Sequence, residues 1–318
     1  MADSARRKPV GLHKIALAAL FTVGNTLIRF PWRTGGGEMP VLFLLSAVGA
    51  LIPAVLIYPA LHRLFRSVLS RGRARLLLSA ACAVLLAGYA LYAAAECLYD
   101  YLSFAGETVL PGGGRWLLCL LFLGSAVWLC GVGDRGTDVF ALAGFAAVTV
   151  CVVVLFLFGI PDYQPENLTF RMPDTPASIL PALLPIWRET LLPLVLLSAY
   201  FALVLPQRGE GALVIGTVAG CGILALCALQ TLLTFGTALA AEYAYPYAWA
   251  ARILSVGPYF FRLEGFSYLP DYLACLTRSA LCLAVVRRLW GRFFPRRTRV
   301  VRPLLFVTLS VILLFRLL

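Results

Sequence analysis

Nine apolar runs follow one another from Leu12 to Leu318, separated by short polar loops. They cover residues 12–31, 40–61, 75–102, 115–132, 137–159, 183–205, 211–238, 266–287 and 303–318. A helix needs about 20 mostly apolar residues to cross a hydrocarbon core of roughly 30 Å, and the runs reach or approach that length. A membrane β-barrel would instead need segments of about 10 residues with alternating polarity. Val148 to Phe158 shows no such alternation. The pattern predicts an all-α integral membrane protein, a single polytopic domain over residues 1–318 with about nine transmembrane helices.

Composition agrees: 61% of the 318 residues are hydrophobic and 13% charged, too little polar surface to clothe a water-soluble globule. The basic residues set an orientation. Arg6, Arg7, Lys8 and Lys14 precede or open the first run; Arg63, Arg66, Arg71, Arg73 and Arg75 lie between the second and third. Arg287, Arg288, Arg292, Arg296, Arg297, Arg299 and Arg302 lie between the eighth and ninth. With Arg135 and Arg208, 18 of the 27 basic residues fall on one side, which the positive-inside bias makes cytoplasmic. An odd number of spans then places the N-terminus in the cytoplasm and the C-terminus outside.

The net charge of +12 suggests a nucleic-acid partner, but the arginines sit beside spans without the aromatic interleaving of such a surface. Topology and the anionic lipid bilayer account for them, and no nucleic acid is expected. The first run follows a basic stretch like a signal peptide, yet no small-residue cleavage site follows and the next span comes at once. Nine cysteines (82, 97, 119, 130, 151, 221, 227, 275 and 282) all fall within runs, with only His13 and His62 beside them. Neither a disulfide framework nor a metal site is signalled, no cofactor is expected, and the cysteines read as small fillers between helices.

Function is to be sought where a span carries helix-breakers or charge. The first span holds Val23-Gly24-Asn25-Thr26, followed by Arg29-Phe30-Pro31; it reads either as a broken helix offering backbone groups to a ligand or as a glycine packing contact with a terminal proline. The third carries Tyr92, Glu96 and Tyr99 on one face, with Glu96 either functional or reaching the outer interface. The sixth, with Pro181, Pro185 and Pro193 around Trp187-Arg188-Glu189, is not expected to be continuous. The eighth holds Asp271 and Arg278 two turns apart, with Arg278 either pairing with Glu96 or Glu189 or serving as a structural tie. Between spans seven and eight, Glu242 to Glu264 reads as an outer cap of short helices, amphipathic around Tyr247, Trp249, Ala250, Ile253 and Leu254.

The order of these features resembles the amino acid-polyamine-organocation superfamily with its LeuT-type fold. Tyr245-Pro246-Tyr247, then Arg252-Ile253-Leu254-Ser255-Val256-Gly257 and Phe261-Arg262-Leu263-Glu264, is similar to the signature of the spore germination permeases, the B subunits of nutrient germinant receptors. Val23-Gly24-Asn25-Thr26 followed by Phe30-Pro31 resembles that family's first helix, and Gly133 to Arg135, Asn167 and Glu189 match it more loosely. The chain departs from the family in three ways. A tenth helix is missing, Arg188 stands where glycine is usual, and the loop from Pro161 to Pro181 is richer in proline.

The resemblance implies a LeuT-type bundle with helices one and six broken. Gly24, Asn25, Thr26, Tyr92, Glu96, Trp187 and Glu189 would bind a small nutrient such as an amino acid. Arg188, Asp271, Arg278, Arg262 and Glu264 would have structural or coupling roles. It also implies a larger A-type membrane subunit and a C-type lipoprotein subunit as partners, in the spore inner membrane. Two other readings stay open: an ion-coupled transporter of amino acids or organic cations, and a ligand-free structural subunit. No nucleophile–base, paired-acid or metal-ligand constellation points to an enzyme.

Overall fold

The computed structural model describes residues 11–24, 26–29, 58–65, 67, 76–109, 114–168, 184, 188, 192–204, 209–254, 263–293 and 308–309. Asn25, Trp187, Glu189 and Arg262 lie outside them, as do most of expected spans two and nine and most of the first half of span six. Every element among the described residues is helical, with no strand. In chain order they are α1 (Leu12–Val23), α2 (Thr26–Arg29), α3 (Leu76–Thr108), α4 (Arg115–Val132), α5 (Asp134–Gly159), α6 (Leu194–Val204), α7 (Gly209–Glu242), α8 (Pro246–Ile253) and α9 (Gly265–Phe293). Five of these, α3, α4, α5, α7 and α9, are long and apolar enough to cross a membrane. The chain is an all-α membrane protein.

Burial separates a central pair from an outer shell. Residues 16–24 of α1 and 274–286 of α9 are buried on every side, so these two helices have no face left for solvent or lipid. α4 and α5 instead turn Trp116, Leu117, Leu121, Trp128, Val139 and Val150 outward. In water that surface would be a liability; in hydrocarbon it is the stable arrangement.

Small residues allow the close approach. On α7, Gly216 and Gly220 form a G-x-x-x-G seam against α1: a methyl group at Gly216 would lie 2.5 Å from the Ile15 carbonyl oxygen, and one at Gly220 2.7 Å from that of Ala19. These pairs also fix direction, because Ile15 meets Gly216 and Thr22 meets Gly220, so α1 and α7 run parallel. α1 and α5 are parallel too, with Lys14 on Asp138 and Leu20 against Gly144. α3 runs antiparallel to α9, joined at Cys97–Cys275 and Thr108–Tyr268. This alternation is what spans one, five and seven, against span eight, require.

One end of the bundle collects charge. Lys14 donates to Asp138 at 2.6 Å, Arg288 pairs with Asp134, and Arg287 donates to the Cys130 carbonyl. The α4–α5 turn sits there on the single residue Gly133, whose φ of +94° suits glycine. The opposite end carries the cap. α8 buries Tyr247, Ala248, Ala250 and Ala251 and exposes Arg252 and Ile253. The expected apolar face therefore loses Ile253, which points outward, while Leu254 is buried.

A candidate ligand site at the break in the first helix

α1 ends at Val23 because Gly24 leaves helical geometry, at φ +36° and ψ −130°, and the helix restarts as α2 at Thr26. The freed backbone is largely rescued by nearby groups. Gly24 N–H donates to the Leu20 carbonyl at 2.9 Å, Thr22 Oγ1 to that of Ala18 at 2.9 Å, and Thr26 Oγ1 to that of Thr22 at 3.2 Å. The Gly24 carbonyl accepts from the Cys275 thiol at 3.5 Å, and the Cys97 thiol donates to the Cys275 carbonyl at 3.5 Å. The break is thereby tied to α9, and α9 to α3, at one level of the bundle. Two cysteines expected to be plain fillers make both ties.

Glycine is required at position 24 for a second reason. A β-carbon there would lie 2.7 Å from Nη1 of Arg278, and its Cδ is closer still. The guanidinium therefore occupies the break, with its carbon 5.6 Å from the centre of the Phe21 ring. Its position beside the carbonyl end of α1 is electrostatically favourable. It is nevertheless incompletely satisfied: Arg278 is buried, and its Nε and Nη1 have no hydrogen-bond partner among the described residues. The pairing with Glu96 allowed by the sequence is not formed. Instead, Glu96 accepts from the Tyr92 hydroxyl at 3.1 Å.

Asp271 lies one turn from Cys275 toward the cap. It is 2% exposed, and its Oδ1 has no hydrogen-bond partner among the described residues. Tyr101 on α3, Cys227 on α7, Tyr247 on the cap and Cys275 lie within electrostatic range of it. One more buried polar group on a neighbouring helix has no partner among the described residues, the Gln230 amide, one turn beyond Cys227. The Tyr247 hydroxyl is set against the Cys227 thiol and the Ser279 hydroxyl against the Cys97 thiol. Buried polar groups are normally paired, and each unpaired one costs about 1–3 kcal/mol, so Arg278, Asp271 and Gln230 are the candidates for contact with a ligand. An aromatic wall of Tyr101, Phe122 and Tyr272 stands beside Asp271, the first two rings stacked at 4.8 Å.

The residues expected to bind ligand are only partly brought together. Gly24 and Thr26 are at the break. Tyr92 and Glu96 share a face of α3 as their spacing requires, but Tyr92 is 49% exposed, on the outside of the bundle. Arg188 is exposed. Glu264 lies at the start of α9, where its carbonyl accepts from Ser267 N–H and Tyr268 N–H. Arg278, expected to couple or to support structure, fills the break, while Asp271 lies one turn from Cys275 and the buried Asp100 of α3 acts on Cys97 and Cys275 at the same level.

Sequence reasoning missed two features. Gln230 is the only carboxamide in the seventh run, a visible signal. The second is a break in α7 at Gly236, φ +70°. Asn167 Nδ2 donates to the freed carbonyls of Leu233 and Thr234 at 3.1 and 3.4 Å, and Gln164 N–H to Leu233 at 3.1 Å. Because its carbonyls are paired within the chain, this break reads as architecture.

A separate groove of about 350 Å³ between α3 and α9, lined by Ala80, Ala83, Val84, Ala87, Val286, Leu289 and Trp290, is wholly apolar and suits no polar ligand. No protein-family model matches the chain, and no characterised protein matches it.

Proposed function

We propose that this chain is the ligand-binding membrane subunit of a nutrient receptor of the spore germination permease kind. In this reading it has a LeuT-type bundle of about nine spans, a cytoplasmic N-terminus, and an A-type membrane subunit and a C-type lipoprotein as partners. A small nutrient, an amino acid in the first instance, binds at the break in helix one. Asn25, Trp187 and Glu189, outside the described residues, are proposed to contribute. The observation that carries the reading is the break at Gly24 filled by Arg278, with the buried Asp271 farther along the same helix and the Gln230 amide of α7 also without partners among the described residues. A ligand shifts a conformational equilibrium only through its different affinity for two states. A break tied to α9 by one thiol hydrogen bond and filled by one side chain suits a hinge of the required kind.

Ion-coupled transport is the second reading, and Asp271 favours it, as a buried carboxylate able to exchange a proton during a cycle. A metal cation at the break itself is disfavoured by the positive charge of Arg278. Purified chain in nanodiscs and in proteoliposomes separates the readings. Saturable binding of a nutrient without gradient-driven uptake, together with co-purification of the two partner subunits, supports the receptor. Uptake driven by a proton gradient supports the transporter. Absence of both, from folded protein that still recruits the partners, leaves the structural subunit.

A further inference from the structure

We propose that Arg278 and Asp271 are two charged poles of one site, selecting a ligand that carries an anionic and a cationic group close together. This rests on the ligand-binding reading above and goes beyond it by assigning the recognition to α9, in place of Glu96 and Glu189.

Three observations support it. Both side chains are at least nine-tenths buried, and each has polar atoms without a hydrogen-bond partner among the described residues. A buried charge without a partner is among the costliest things a protein can contain, so two on one helix face call for a common explanation. Second, the two do not satisfy each other: no ion pair joins them, although their spacing of seven puts them on nearly the same face. Third, the geometry sets the size of what fits between. Side chains on a helix lean toward its N-terminus, and the Arg278 guanidinium does so, reaching the level of Gly24, which Cys275 also contacts. Asp271 lies four residues farther along, an axial rise of about 6 Å.

That rise keeps the two side chains from direct contact. Two charge-assisted hydrogen bonds of about 2.8 Å, joined through the few bonds that separate an α-ammonium from its carboxylate, reach farther than the rise alone, so the ligand lies beside α9 and not along it. The carboxylate lies on Arg278 at the break and the ammonium on Asp271 toward the cap. The ligand's own side chain is then directed toward the Gln230 amide, which has no partner among the described residues and favours a small polar group. The carboxylate also sits where moving α1 against α9 would disturb it, which links occupancy to the hinge.

The test uses the full chain in detergent and reads thermal unfolding, since a ligand that binds only the native state raises its stability. The probes are amino acids, each paired with the smaller acid lacking its amino group and the smaller amine lacking its carboxylate, alongside sugars and nucleosides. At least one free amino acid is expected to stabilise the protein, with each one-charge analogue binding about tenfold or more weakly, the loss expected for one charge-assisted contact. In Asp271→Asn the preference for the amino acid over the acid is expected to vanish; in Arg278→Gln, that over the amine. Asp271→Glu and Arg278→Lys should keep part of each preference, and all four variants are checked for monodisperse elution.

A one-charge analogue that binds as tightly as the amino acid overturns the proposal. So do variants that keep both preferences, and Arg278→Gln that loses ligand-free stability while its discrimination is untouched, the mark of a tie to α1 alone. Stabilisation by a sugar or nucleoside and by no amino acid overturns the poles and leaves the binding reading standing. Silence across the whole panel overturns both.

Discussion

Replacing Gly24 by alanine probes the break most sharply, because two separable costs act at one atom. The backbone at φ +36°, ψ −130° is one that an L side chain rarely adopts, and holding a residue there costs about 1–3 kcal/mol. The new methyl group also meets the Arg278 side chain, 2.7 Å from Nη1, and the Phe21 carbonyl oxygen at 3.0 Å. Overpacking of that order costs about 1–3 kcal/mol. Together they give a destabilisation of about 2–6 kcal/mol, read as a loss of unfolding free energy in detergent. Combining it with Arg278→Ala apportions the loss. Without the arginine its share of the steric part disappears, while the Phe21 carbonyl contact and the backbone part stay, so Gly24→Ala should cost up to about 1–3 kcal/mol less in the Arg278→Ala background than in the wild type. Two sites that simply add, or a Gly24→Ala protein as stable as wild type, would show that Arg278 does not fill the break.

Other perturbations address the supporting structure. Asn167→Ala leaves the Leu233 and Thr234 carbonyls without the amide and is expected to cost about 1–3 kcal/mol, with faster amide exchange confined to the α7 break; protection unchanged there would refute the capping role. Lys14→Met leaves Asp138 with His13 alone, 3.6 Å away, and is expected to cost up to about 3–5 kcal/mol, whereas Lys14→Met with Asp138→Leu recovers most of it, as urea titration of both variants would show. Gly220→Ala, aimed 2.7 Å from the Ala19 carbonyl, must push α1 and α7 apart, and a protein that unfolds like wild type would rule out the close seam. Burial, helped by the nearby Glu107 and Asp100, pushes the Tyr245 hydroxyl up to about 12, so the folded state holds this proton more tightly than the unfolded one. Its stabilisation is full below about pH 10 and is lost between about pH 10 and 12, a decline that Tyr245→Phe should flatten.

Much of this architecture is legible in the chain. Apolar run length located the spans that the structure describes, and α4 coincides with its expectation at residues 115–132. The helix ends were less legible, because hydropathy falls before a helix stops. α9 continues past 287 through Arg288 and Arg292, where Arg288 meets Asp134, and α7 continues to Glu242. Gly24 was legible as a break, and Asp271 and Arg278 as charges out of place, since each violates a local rule.

The partners of these residues were not legible. The sequence offers Arg278 several acids with no way to choose among them, and its contact with a glycine on another helix exists only once α1 and α9 are packed. The break at Gly236 was hidden because its rescuer, Asn167, lies 69 positions away. Spacing puts Tyr92 on the face of Glu96 and so among the expected ligand contacts, whereas an interfacial tyrosine sits equally well with its ring outside and its hydroxyl on Glu96.

The central claim is that a ligand sits at the break of helix one, between α1, α3 and α9. A structure determined with the nutrient that most stabilises the protein tests it most directly. The account predicts density between Gly24, Cys275 and Asp271, in contact with the Arg278 guanidinium. Density elsewhere, with Arg278 still packed on Gly24 and its Nε and Nη1 still unpartnered, would contradict it.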